Sequence, residues 1–512
     1  MCAQEHDILI IGAGMGGSAL AFALKDSGLR VHVIERGDYL AREAENASVD
    51  AVFHRKRYRS VDVWTDERGQ PFNPGIHYYV GGNTKVYGAA MMRLRERDFA
   101  DLEHEDGVSP AWPVDYATLE PWYARAEAMM GTRGDAGSDP TEPPRSTPYP
   151  HRAIPHDPGI VSLVEGLRGQ GLTPFPLPVS IQQGEGGACV RCMTCDGFPC
   201  RHDAKGDAEN RCLRPALLAG NVTLETNARV LRLLTSPDGR TVTGVEVEAR
   251  GEVTVRRAAV VVLAAGAINS AALLLRSATD RHPRGLANGS GQVGRNYMAH
   301  NPTAVMAVSP RRTEVAYQKT FAINDFYFGV PGYEKPMGNL QMLGKLQAGM
   351  LTASLPLVPR AVMDALARRS VDWYVMSEDL PHPENRVVLD GRTIRLIYRQ
   401  NNMGPHRRLV REVGRFMRRL GSPLILTKWL GLQTTSHQCG TVRFGNDPAT
   451  SVLDPLCRAW EVDNLYVVDG GFFPSSAAVN PALTIAAQAL RVGDHLMERL
   501  RVGRPAVATA GA

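Results

Sequence analysis

The sequence predicts an α/β protein: a Rossmann-like dinucleotide-binding domain with an inserted α+β domain built on an antiparallel sheet. Three observations carry this. Residues 7–35 read as strand, glycine turn, helix, strand and acid. A second strand and small-residue turn, 260–267, runs into a helical stretch at 269–276 and fits the same layered sheet. Between 303 and 435 the character changes, to strand-like runs (303–308, 386–389, 393–398) among helical ones (359–369, 406–420). The expected division is therefore 1–302 and 436–512 for the nucleotide domain, with 303–435 as a substrate-binding insert.

Each residue type in the opening stretch has a physical task. Apolar residues 8–11 end at Gly12-Ala13-Gly14-Met15-Gly16-Gly17. Gly12 permits a tight turn, and Gly14 lets backbone N–H groups, with Met15 and Gly16 at the helix start, approach a pyrophosphate. Gly17 lets the helix pack on the strand. Glu35, followed by Arg36, ends the second strand where a carboxylate accepts both hydroxyls of an adenosine ribose. An acid rather than an arginine at 35 favours FAD or NAD over NADP.

Composition narrows the class. A chain of 512 residues can hold about two to four average domains. A hydrophobic fraction of 44%, a charged fraction of 22% and a net charge of +5 are ordinary for a soluble globular protein. No dense Lys/Arg run points to nucleic acid or an anionic membrane, and no apolar run reaches the length of a membrane span. The first strand starts within a few residues of Met1, which leaves no room for a signal peptide, so a cytoplasmic location is expected. Cys189, Cys192, Cys195, Cys200 and Cys212 crowd into 24 residues. Their spacing is compatible with zinc, with an iron–sulfur cluster or with no metal at all, and a cytosolic setting disfavours disulfides.

The remaining elements follow in order. The turn at 81–84 and the small residues Gly88, Ala89 and Ala90 let backbone lie close to a flat ring. A helix is expected within 111–130, a surface excursion over 131–158, a helix over 159–172 and an extended run over 173–181. After the cysteine segment come a helix at 211–219 and a strand meander over 221–234 and 241–248. The aromatic-rich stretch 321–328 reads as core packing or, alternatively, as a cavity wall. Near the end, a strand at 465–468 meets Asp469-Gly470-Gly471, and Asn480-Pro481 opens a helix running to Leu500.

Four ordered motifs resemble the glucose–methanol–choline (GMC) flavoprotein oxidoreductases along the whole chain. These are the N-terminal fingerprint, GGNTKVYGAAMMRLRERDF, the cysteine segment ending in Ala204-Lys205, and the pair SHQCGTVRFGNDPATSVLD and NLYVVDGGFFPSSAAVNPALTIAAQAL. The resemblance implies FAD, with Gly82, Asn83, Thr84, Tyr87, Gly88 and Ala89 along the flavin and Val230 at the adenine. It further implies cofactor contacts from Ala265, Gly266, Asp469, Gly470, Asn480, Pro481 and Thr484. His437 and Asn480 are the implied catalytic pair. A histidine of near-neutral pKa suits removal of a hydroxyl proton while hydride leaves the carbon, and an asparagine amide can hold the alcohol oxygen. Residues 83–87 hold no histidine, so the FAD is expected to be noncovalent. Relatives that carry the same Ala-Lys without a known redox metal weigh against a metal here.

Within the family the pattern is most similar to pyranose-oxidase-like bacterial enzymes, including glycoside 3-oxidases that act on C-glycosides. A sugar or glycoside is thus the expected substrate and oxygen or another acceptor the expected oxidant. Choline, aliphatic alcohols or an aminoglycoside are the alternatives, the last opposed by the positive net charge, together with a redox-silent lyase.

Overall fold

The structure of the protein, a computed structural model, describes residues 6–184, 186–313, 315–352, 357–434 and 437–502. The opening unit forms as the residue types dictate. β1 (His6–Ile11) runs into α1 (Met15–Leu24) and returns as β2 (Val31–Ile34). A Cβ on Gly17 would lie 2.0 Å from the Gly12 carbonyl oxygen, so glycine alone lets α1 sit this close to the turn. Gly12 itself takes a φ of +105°, and its N–H donates to the Ile34 carbonyl at 2.8 Å.

α2 (Tyr116–Met130) starts where Asp115 accepts the Thr118 N–H at 2.7 Å, and buries Leu119, Tyr123 and Ala126. α3 (Pro158–Arg168) and the short β3 (Phe175–Pro176) follow. The expected meander divides. β4 (Val222–Glu225) pairs parallel to β2, whereas β5 (Ala228–Thr235), β6 (Val242–Ala249) and β7 (Glu252–Arg256) form a separate antiparallel sheet. The break falls at Asn227, whose φ of +54° turns the chain between the two sheets. β8 (Ala258–Leu263) and α4 (Ala267–Arg276) complete the second strand–helix unit.

The insert supplies β9 (Asn301–Val308), β10 (Phe321–Ile323), β11 (Asn339–Met342) and β12 (Ser370–Ser377). The hairpin β13 (Arg386–Asp390) and β14 (Thr393–Ile397), then α5 (Met403–Arg419) and β15 (Leu424–Trp429), follow. The chain then returns through β16 (Leu465–Val467) to α6 (Ala482–Val502).

Two sheets set the architecture. One is parallel, ordered β4-β2-β1-β8-β16; the other is antiparallel, ordered β15-β9-β12-β11-β10-β3. α1 and α6 pack together beside the parallel sheet, where Gly493 brings α6 against Ala23. α3 and α5 bury Ile160, Val164, Leu167, Leu409, Val413 and Phe416 in the second core, with Trp373 between them. β3 and α3 thus join the antiparallel layer from outside residues 303–435, and the β13–β14 hairpin pairs with Trp64–Thr65 instead of with that layer. The aromatic stretch is core: Phe321, Phe326 and Tyr327 are buried among apolar neighbours. The tail after Val502 and the boundary expected at 435/436 lie outside the described residues. Among the described residues no helix is long and apolar enough to cross a membrane.

One buried ion cluster ties the 81–88 loop to the segment after the cysteines. Lys85 Nζ donates to Asp207 at 2.8 Å and to Glu209 at 2.6 Å, all three side chains being at most 10% exposed. Removing the cation strands Asp207 and leaves Glu209 with Arg214 as its one remaining ion partner among the described residues. Lys85→Met is expected to lower stability by about 3–5 kcal/mol, read as a shift of the urea midpoint; an unchanged midpoint would count against the cluster.

Candidate active site

A single cavity of about 640 Å³ runs from the end of β2 to the far side of His437. Its first half is glycine-lined backbone. Gly12, Gly14, Met15 and Gly16 lie along it, and a Cβ on Gly14 would meet nothing within 4 Å, so the turn stands open to a ligand. Glu35 lines the same end. Its carboxylate accepts the N–H groups of Ala13 at 2.8 Å and Gly37 at 2.9 Å, which aims it while leaving lone pairs for hydroxyls. Burial raises its pKa, and those two N–H groups act in the opposite sense. Arg36 and Val230 flank it, Arg36 lying over the Tyr78 ring and paired with Asp62.

The middle of the cavity is walled by Gly82, Asn83, Thr84 and Tyr87, then Gly88 and Ala89, facing Ala265 and Gly266. Asp469, Gly470 and Pro481 close the other side. Asp469 is turned inward: it accepts the Gly266 and Gly471 N–H groups and the Ser270 hydroxyl, and so locks β8 to the strand end of β16. Two expected contacts lie elsewhere. Gly17 packs helix on turn, and Thr484 is fully buried with its hydroxyl 2.8 Å from that of Tyr123, because α6 points this face at α2.

A dinucleotide with an attached ring fits these residues. The cradle is rich in glycine, a carboxylate waits at one end, and a cation without a carboxylate partner among the described residues lines the wall. That cation is Arg59, which lines the cavity, is half-buried and has no carboxylate partner among the described residues. Burial lowers its pKa, the situation an anionic ligand would relieve.

The second half of the cavity holds His437 and Asn480, with Asn480 Nδ2 3.4 Å from His437 Nε2. A second histidine decides their protonation. His300 Nε2 lies 3.0 Å from the Ser476 carbonyl oxygen, which can only accept, so this nitrogen carries the proton. His300 Nδ1 lies 3.0 Å from His437 Nδ1, and the arrangement in which His437 donates across this contact leaves its Nε2 as the free acceptor. Assigned from this network, His437 is the tautomer with a bare Nε2 facing Asn480. Desolvation, then His300, then Lys319 hold His437 well below the usual imidazole pKa, so it is a free base at neutral pH. Asn480 is oriented in turn: its Oδ1 accepts from Gln341 Nε2 at 3.0 Å.

Buried carboxylates hold the loop behind this pair. Asp379 accepts the N–H groups of Ala299 and His300, each at 2.8 Å, and the Ser476 hydroxyl. Glu378 accepts the Ala477 N–H at 3.0 Å, and Tyr327, itself donating to Asp98, takes the Ala478 N–H at 3.1 Å. Burial lifts Asp98 to about 7 and raises Asp379. Burial pushes Glu378 up too, but the donors His104, Ser109 and Ala477 outweigh it. Ala89, His300 and Ala477 all have φ between 52° and 62°, strain of about 1–3 kcal/mol each.

His300, Gln341 and Arg59 carry no motif. His300 stands 137 residues before its partner, a separation at which no local spacing signals contact. His77 was likewise passed over; it lines the cavity with its pKa pressed to about 4 by burial. The five clustered cysteines are free thiols, and among the described residues no three of His, Cys, Asp or Glu gather as a metal site.

Comparison with known proteins settles the family. Models of the GMC oxidoreductases match residues 6–302 with their N-terminal part and 426–489 with their C-terminal part. The chain belongs to the GMC oxidoreductase family. It is a flavoprotein oxidoreductase acting on CH–OH groups. It is 32% identical to paromamine 6′-oxidase of Streptomyces fradiae, over 95% of this chain and 90% of that one. It is 33% identical to 6‴-hydroxyparomomycin C oxidase of Streptomyces lividus, over 98% and 93%. Fructose dehydrogenase large subunit of Gluconobacter japonicus is 27% identical over 97% and 98%. The crystal structure of pyridoxine 4-oxidase from Mesorbium loti superposes with a TM-score of 0.66 at 19% identity, covering 96% and 99%, a likeness of fold.

The tautomer relay yields a prediction. His300→Leu removes both the acceptor that fixes His437 and the neighbouring ring that depresses its pKa. Flavin absorbance should persist, kcat/KM for alcohol oxidation should fall about 10–100-fold, and its acid limb should move up towards the usual histidine range. An unmoved pH profile would mean that His300 only fills space.

Proposed function

We propose that the protein is an FAD-dependent enzyme that oxidises a secondary ring hydroxyl of a sugar or glycoside to a ketone. The position we propose is C-3, for the resemblance of its flavin-loop pattern to glycoside 3-oxidases. The observation that carries the chemistry is His437 Nε2 3.4 Å from the Asn480 amide at one end of the cavity, with Glu35 at the other. When bound, FAD would supply the acceptor for the hydride, with oxygen or another acceptor as the final two-electron oxidant. His437 Nε2 receives the hydroxyl proton. Asn480 Nδ2 donates to the alcohol oxygen and keeps the carbon–hydrogen bond aimed. The His300 relay holds Nδ1–H in place, so the accepting nitrogen stays exposed to substrate.

The substrate class is supported by relatives named for sugars and aminoglycosides. An aminoglycoside is the second reading, favoured by the 32% and 33% identities. The FAD is held noncovalently in this proposal, residues 83–87 offering no histidine.

An anaerobic absorbance titration with glucose, a methyl glycoside, paromamine, choline and a benzylic alcohol tests the proposal. Bleaching by the sugar or glycoside is expected; bleaching only by choline or the benzylic alcohol would overturn it. His437→Ala should keep the yellow colour while flavin reduction slows by about 10² or more; loss of colour would make His437 structural. Acid precipitation should release free FAD, and flavin remaining with the pellet would refute noncovalent binding.

A further inference from the structure

The cysteine-rich segment has no part in the chemistry so far, yet it delivers a charged residue to the cavity. Asp196 follows Cys195 and lines the same cavity as His437 and Asn480, as does Lys319. Lys319 Nζ donates to Asp196 Oδ1 at 2.5 Å, and the Gly344 N–H donates to Oδ2 at 2.5 Å. The two side chains are 4% and 19% exposed.

The pair rests on the flavin loop. A Cβ on Gly88 would fall 1.8 Å from Asp196 Oδ1 and 2.1 Å from Lys319 Nζ, so the missing side chain is what admits it. Tyr374 stands next to it, its ring 6.2 Å from that of His437 and its hydroxyl within the field of Asp196. The segment is strapped down by Lys205. Its buried Nζ donates to the carbonyls of Tyr87, Cys195 and Phe198, gripping both sides of Asp196 and the flavin loop together.

We infer that Asp196 and Lys319 are the polar anchor for substrate, gripping hydroxyls of a neutral ring on the carbons that flank the one oxidised. This rests on the sugar reading above and narrows it. Asp196 has accepted two hydrogen bonds of about four available, and Lys319 has donated one of three. An open acceptor beside an open donor matches one hydroxyl that donates and another that accepts. Left without ligand or water, such half-buried capacity is costly.

The same geometry disfavours a cationic amine. An ammonium group would compete with Lys319 for a carboxylate already neutralised. Of the other carboxylates lining the cavity, Glu35 stands at the opposite end from His437, Asp62 is paired with Arg36, and Asp469 accepts from Gly266, Gly471 and Ser270. The aminoglycoside relatives therefore share the family chemistry without setting the specificity here.

The test is a chemical double-mutant cycle on the holoenzyme. Anaerobic flavin reduction is followed with methyl glucoside and its 2-deoxy, 4-deoxy and 2-amino-2-deoxy counterparts, for wild type, Asp196→Asn and Lys319→Met. In wild type, removing the adjacent hydroxyl should cost about tenfold or more in kcat/KM, and the amine should be no better than the hydroxyl. In either variant that penalty should shrink to about threefold or less while flavin absorbance is kept. A penalty that survives in both variants, or an amine preferred over the hydroxyl, overturns the inference and leaves the sugar reading standing. No reduction by any of the four sugars overturns both.

Discussion

The structure depends on a contact between two histidines at the two necks of the insert. His300 immediately precedes β9 and His437 follows β15, and their Nδ1 atoms lie 3.0 Å apart. That hydrogen bond joins the strands entering and leaving the antiparallel layer, and the Ser476 carbonyl fixes its polarity. A tautomer is therefore set by tertiary structure, and any relative movement of the two layers would disturb it first. The base we propose is thus held by the contact that ties these two segments together.

Electrostatics around this junction are arranged to favour neutral bases and ionised backbone clamps. Burial, His300 and the Lys319 ammonium keep His437 unprotonated, while Asp379 and Glu378 spend their lone pairs on backbone N–H groups of residues 299, 300 and 477. Positive φ at His300 and Ala477 persists because those carboxylates outweigh the strain. A loop so held needs little reorganisation when substrate arrives, which is where positioning catalysis draws its advantage.

Local patterns made the parallel sheet legible. The run over 8–11, the glycines of 12–17 and the acid at 35 each state a local requirement, and β1, α1 and β2 form where that pattern places them. His437 and Asn480 were legible through motif resemblance. Other features were hidden because they are made by distant chain segments. Residues 221–234 look like continuous strand in sequence, and only the turn at Asn227 sends one half to each sheet. Thr484 shares a motif with Asn480, but the helix period turns it towards Tyr123. Asp196 was obscured by the cysteines around it, whose spacing drew attention to metals instead of to the carboxylate between them.

The order of strands in the parallel sheet carries a consequence for biogenesis. β8 ends at Leu263, and its outer neighbour β16 begins at Leu465, so about two hundred residues separate hydrogen-bonded partners. The parallel sheet cannot gain β16 while the ribosome is still making the insert, and α6, which covers α1, emerges later still. Such long-range closure is slow, and the half-formed sheet exposes an unpaired edge while it waits. The parallel sheet therefore reaches its full width, and α1 its cover, only after the segment beyond the insert has been made.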